Sequence, residues 1–86
     1  MYVILTYDVG AKRVGKALKT CRKYLTHVQK SVFEGKIGGS KLEKLKRELS
    51  KVVNPEKDSV RIYRLDSSRY LLLDELGVVV KRSNVL

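Results

Sequence analysis

The chain has 86 residues, with 19 Lys plus Arg against 9 Asp plus Glu and a formal net charge of +10. That length matches one domain of ~50–250 residues, whose core alone is marginal at this size. Hydrophobic residues make up 43%, which excludes disorder by composition, and apolar runs such as Tyr70 to Leu73 fall far short of the ~20 residues of a membrane span.

Residues 2–7, Tyr-Val-Ile-Leu-Thr-Tyr, are β-branched and aromatic and predict a strand with two apolar faces. Tyr2 and Ile4 point one way; Val3, Leu5 and Tyr7 point the other. Asp8-Val9-Gly10 ends it. Val14, Ala17, Leu18, Cys21, Leu25 and Val28 then recur at helical spacing, predicting a helix over about 11–26. Gly15 inside that helix suggests a close backbone approach. Residues 28–37 alternate as β structure, either one bent strand or a very tight hairpin.

Gly38-Gly39 breaks the pattern, and Ser40 with Glu43 reads as a capping box. Leu42, Leu45, Leu49 and Val52 form the stripe of a second helix over about 40–53, stopped by Asn54-Pro55. Residues 58–65 alternate again as a strand. The apolar tail with Tyr70 to Leu73, Gly77 and Val78 to Val80 reads as one or two further strands. The order predicts an α+β, ferredoxin-like βαββαβ sandwich with an additional C-terminal strand, as a single domain over 1–86. Two helices cover one sheet face, so the other face of residues 2–7 needs a cover. A second copy of the chain would provide one, and a homodimer is expected.

The charge points to a polyanionic partner, most simply nucleic acid. Helix one carries Lys12, Arg13, Lys16, Lys19, Arg22 and Lys23 and no acid. Helix two instead spaces Glu43 with Arg47 and Lys44 with Glu48 at i, i+4, an ordinary solvated face. Like charges at that spacing disfavour helix one unless bound phosphates relieve them. Helix one is therefore the expected nucleic-acid surface, with Arg61, Arg64 and Arg69 as possible additions to its field. The opening residues lack a basic-then-apolar leader, and a lone Cys21 excludes an internal disulfide and a thiolate metal cluster. A cytoplasmic protein without a membrane partner is the expectation.

Among the first 33 residues Asp8 is the only acid beside seven cations. For an arbitrary chain it would be a turn or capping residue. As a ligand for a hard cation such as Mg²⁺ it would need substrate phosphate and a second carboxylate, which two copies of Asp8 across a dimer axis would provide. His27, the only histidine, is a general-base or phosphate-contact candidate, though a lone exposed or capping His is commoner. Cys21 on the apolar stripe reads as a core thiol, and Tyr7 and Phe33 as packed strand residues.

Several stretches together resemble the small CRISPR-associated Cas-two family. They are Met1-Tyr2-Val3-Ile4, Tyr7-Asp8-Val9, Arg13-Val14, Tyr24-Leu25, Val28 to Gly35 (Val-Gln-Lys-Ser-Val-Phe-Glu-Gly), Asp58 to Tyr63 and Ser83-Asn84-Val85-Leu86. The resemblance implies a ferredoxin-like homodimer in which the C-terminal region, about 70–86, packs on the partner protomer. It implies spacer acquisition with the Cas-one integrase. It also implies a Mg²⁺-dependent endonuclease (other divalent metals being possible) acting on single-stranded RNA or double-stranded DNA. Asp8 matches the family's metal-binding acid, while Tyr7, Arg13, Ser31 and Phe33 match positions that support that site. His27 stands where many members have a basic or aromatic residue. Some members act without cleaving, as a DNA-binding bridge between integrase dimers, which is the alternative reading. A generic small basic RNA binder is a third.

Overall fold

A computed structural model describes residues 1–65 and 71–78. The elements run β1 Tyr2–Asp8, α1 Ala11–Arg22, β2 Thr26–Gln29, β3 Val32–Lys36, α2 Gly39–Val52, β4 Ser59–Leu65 and β5 Leu71–Gly77. The strands form one antiparallel sheet in the order β2-β3-β1-β4-β5. Without β5, this is the expected ferredoxin-like arrangement; β5 extends it beyond β4. Residues 66–70 and 79–86 lie outside the described residues, and with them Arg69, Tyr70, Val79-Val80 and the Ser83–Leu86 motif.

Alternation places Val3, Leu5 and Tyr7 of β1 under the two helices, all buried. Phe33 of β3 and Val60 and Ile62 of β4 join them, and Ala17, Cys21, Leu42, Leu45 and Leu49 close the core from above. Tyr2, Ile4 and Thr6 occupy the opposite sheet face, as predicted. In register beside them stand Arg61, Tyr63 and Leu65 of β4, with Leu73 and Glu75 next on β5. Arg61 pairs with Glu75 at 2.7 Å. Ile4, Leu65 and Leu73 remain 40%, 49% and 44% exposed. Toward the helices, Asp74 of β5 pairs with Arg64 at 2.9 Å and with Lys46 of α2 at 3.5 Å, tying the added strand to α2. Leu71–Gly77 pairs with β4 of its own chain.

Several local expectations give way to tertiary packing. α1 ends at Arg22, not near 26, because the chain turns there: Leu25 N–H donates to Cys21 O at 2.9 Å and Leu25 drops into the core. Thr26 then opens β2, a β-branched residue paired with Glu34. The 28–37 stretch is the tight hairpin, with Lys30-Ser31 at its turn and a register shift between His27 and Gln29. Val28 therefore lies in a strand and is exposed. The capping box is absent: α2 starts one residue early, Gly38 holds the N-cap position without a side-chain cap, and Ser40 is already helical. The i, i+4 pairs also fail to form. Glu48 is drawn across to Lys23 and to the Tyr24 hydroxyl, each at 2.5 Å, and Glu43 pairs with Lys46. A Cβ on Gly15 would meet open space, so no close backbone approach explains that glycine.

Candidate active site at the end of the first strand

Asp8 is the last residue of β1, opposite Ser59 of β4. Alternation turns it away from the buried Tyr7, and it is exposed. It does not cap α1, whose N-cap is Gly10 without a side-chain hydrogen bond. The helix-cap explanation of this acid is therefore not borne out, and no described residue forms an ion pair with its carboxylate.

The other candidates separate into two groups. Tyr7, Ser31 and Phe33 converge on the helix side of the sheet. Tyr7 N–H donates to Ser31 O at 3.1 Å, and the Tyr7 ring lies tilted 5.6 Å from Phe33. Phe33 is fully buried and acts by packing. Burial pushes the Tyr7 phenol pKa up, so the ring stays neutral and contributes bulk. His27 joins this group, stacked on Phe33 at 4.6 Å between centroids. Its Nδ1 accepts from Arg22 at 3.4 Å. Arg has only donors, so the proton sits on Nε2, which donates to Lys30 O at 3.2 Å.

Arg13 stands apart from that group. Its Nε donates to Asp58 Oδ2 at 2.5 Å and its Nη2 to Oδ1 at 2.9 Å. Asp58 is 1% exposed. It accepts two further N–H groups, from Gly10 at 2.9 Å and Asn54 at 2.7 Å. The Arg13 guanidinium, helped by those two amides, holds the Asp58 carboxyl well below the usual carboxylate range. Sequence reasoning attached no role to Asp58. Its only local signal was an acid directly before an alternating strand, and its partner lies 45 residues away.

Lys12, Lys16, Lys19 and Arg22 are exposed on α1 with no acid in the helix, while Lys23 is held by Glu48. Lys12 and Arg13 lie near the positive end of the helix dipole, where cations are disfavoured. The Asp58 carboxylate, on Arg13 and on the Gly10 N–H, already sets a negative charge there. At the other end of β1, Lys23, Lys36 and Lys41 line a hollow of about 500 Å³ beside the start of α2, which extends the positive field.

One exposed carboxylate suits a hard cation that keeps most of its waters and takes further oxygens from phosphate. No group of three or more His, Cys, Asp or Glu able to hold a metal occurs among the described residues.

Several known proteins are similar to this chain. A family model described as "CRISPR associated protein Cas2" matches residues 1–71. The "CRISPR-associated endoribonuclease Cas2" of Thermotoga maritima is 53% identical over 91% of this chain and 90% of its own length. The protein of the same name from Dictyoglomus turgidum is 45% identical over the whole of both chains. The crystal structure of Streptococcus pyogenes Cas2 superposes with a TM-score of 0.71 at 33% identity, covering 77% of this chain and 87% of that one.

Proposed function

Because this chain belongs to the CRISPR-associated Cas2 family, we propose that it is a divalent-metal-dependent endonuclease of spacer acquisition, working as a homodimer beside the Cas-one integrase. The observation that carries this reading is the exposed carboxylate of Asp8, without an ion pair among the described residues, next to an acid-free basic helix in the chain. Asp8 is the metal ligand, and its copy on a second protomer completes the donor set. When bound, Mg²⁺ supplies a polarised water and neutralises charge on the scissile phosphate. The chain's own residues do the rest. Lys12, Lys16, Lys19 and Arg22 draw in and orient the phosphate backbone. Tyr7 and Phe33 form the packed wall behind the strand end, and the Ser31 carbonyl anchors it. Arg13, held by Asp58, steadies the turn after Asp8.

The dimer is supported by the open sheet face. Ile4, Leu65 and Leu73 present apolar surface there, which a second copy would cover. No helix among the described residues is long and apolar enough to cross a membrane.

A second reading has its own support. Phe33 is buried and Arg13 is committed to Asp58, which leaves Asp8 as the main candidate for chemistry, whereas Lys12, Lys16 and Lys19 of α1 are exposed for binding. In that reading the protein is a non-catalytic bridge that holds DNA in the integration complex. Labelled RNA and DNA incubated with the purified protein, in Mg²⁺ or EDTA, separate the two. The nuclease reading expects Mg²⁺-dependent cleavage that is lost in Asp8→Ala; cleavage surviving that change would sink it. Spacer acquisition that survives Asp8→Ala but fails when the α1 cations are neutralised would establish the bridge.

A further inference from the structure

We infer that Asp58 is the positioning residue of the Asp8 site: its buried carboxylate fastens the turn that follows Asp8 and so sets where the Asp8 carboxylate points. The inference rests on the metal-site reading for what is positioned, but its geometry stands alone. A buried carboxylate is tolerated only when its acceptor capacity is filled. Each Asp58 oxygen takes two donors: Oδ1 from Gly10 N–H and Arg13 Nη2, Oδ2 from Arg13 Nε and Asn54 N–H. These donors come from the β1–α1 turn, the first turn of α1 and the loop after α2. One carboxylate thus joins three segments that no strand pairing connects.

The placement relative to Asp8 is the decisive feature. Asp8 pairs in the sheet with Ser59, and Gly10, two residues after Asp8, is hooked by Asp58. Consecutive residues of one segment therefore hold Asp8 itself and the turn that follows it. The end of β5 closes on the same point. Val78 N–H donates to Asp58 O at 2.9 Å. Gly77 has φ +88°, and a Cβ there would stand 1.9 Å from that oxygen. A buried ion pair is often dispensable for stability, since well-packed apolar residues serve as well or better. What the network supplies is a single arrangement of the turn, with Arg13 committed to Asp58 to maintain it.

The test uses the full-length protein and compares wild type with Asp58→Ala and Asp58→Asn. Leu45→Ala, a core change in α2, is the control for simple destabilisation. Three quantities are read well below each melting temperature: amide exchange and NMR shifts of Asp8, Val9 and Gly10; Mn²⁺ titration followed by paramagnetic broadening; and the Mg²⁺ concentration for half-maximal cleavage. In Asp58→Ala, Gly10 amide exchange should rise at least tenfold, and about tenfold more metal should be needed in both titrations. Asp58→Asn keeps one carbonyl oxygen for Gly10 and should recover part of the loss. Leu45→Ala should lower the melting temperature and move none of the three. A folded Asp58→Ala with wild-type amides at positions 8–10 overturns the inference, as does a variant indistinguishable from Leu45→Ala. If Asp58→Ala does not fold, Asp58→Asn decides on the same amides. If wild type neither binds Mn²⁺ nor cleaves, the nuclease reading fails, and the amide measurement still decides the positioning role.

Discussion

At the residue scale, the Arg13–Asp58 pair makes the acid behaviour predictable. The native Asp58 carboxyl titrates below its unfolded value, ordinarily near about 3.9. Its stabilising contribution is complete above that value and fades as pH falls toward the native one. Arg13→Ala removes the largest cause of the shift and should give a lower melting temperature at neutral pH and a shallower loss of stability on acidification. Thermal melts between pH 2 and 7 read both. Cys21 allows an independent check. It is fully buried, and burial pushes its thiol up to about 12. A disulfide reagent at pH 8 should leave it untouched in the native protein and modify it once the chain unfolds. Cys21, Tyr7 and Phe33 could be placed in the core from sequence because burial follows the helical spacing or alternation around them. Asp58 could not, since its significance lies in a partner 45 residues distant.

At the element scale, two glycines with opposite roles give opposite predictions. Gly15 lies in α1 with open space where a Cβ would go. Gly15→Ala should stabilise by about 0.5–1 kcal/mol, measured by urea denaturation. Gly77 has a backbone that L side chains rarely adopt and no room beside Asp58. Gly77→Ala should cost more than about 1 kcal/mol in the same measurement. The α1 cations predict a salt dependence: each of Lys12, Lys16, Lys19 and Arg22 changed to Ala should lower the slope of log K against log salt for duplex DNA by about 0.9 if it contacts a phosphate. The helices and strands were legible because hydrophobic period is a local property. Their ends were less so. A Ser-x-x-Glu pattern was outweighed by a helix start at Gly39, and i, i+4 charge pairs by the reach of Glu48 to Lys23 and Tyr24. These pairings depend on which helix lies alongside.

At the scale of the whole molecule, the exposed Ile4, Leu65 and Leu73 on one sheet face and the proposed Asp8 site point to one consequence. Ile4→Glu or Leu73→Glu places a charge on the apolar face. Either should leave the fold intact, by circular dichroism, yet shift the protein to a monomer in sedimentation velocity. The same variants should lose Mg²⁺-dependent cleavage, because one chain provides a single carboxylate. A wild-type monomer at micromolar concentration would remove the dimer from the proposal.

The α+β class, the two-faced first strand, the basic first helix and the solitary acid of the first 33 residues were determined by sequence alone. Each follows from a residue's near neighbours through alternation, helical spacing or charge balance. Tertiary structure decided which of those residues are free to act. It left Asp8 exposed and without an ion pair among the described residues, buried Phe33, and drew Arg13 onto Asp58. Those outcomes depend on strands and loops distant in sequence meeting at the end of β1, where a charge cannot be buried without donors from elsewhere in the fold.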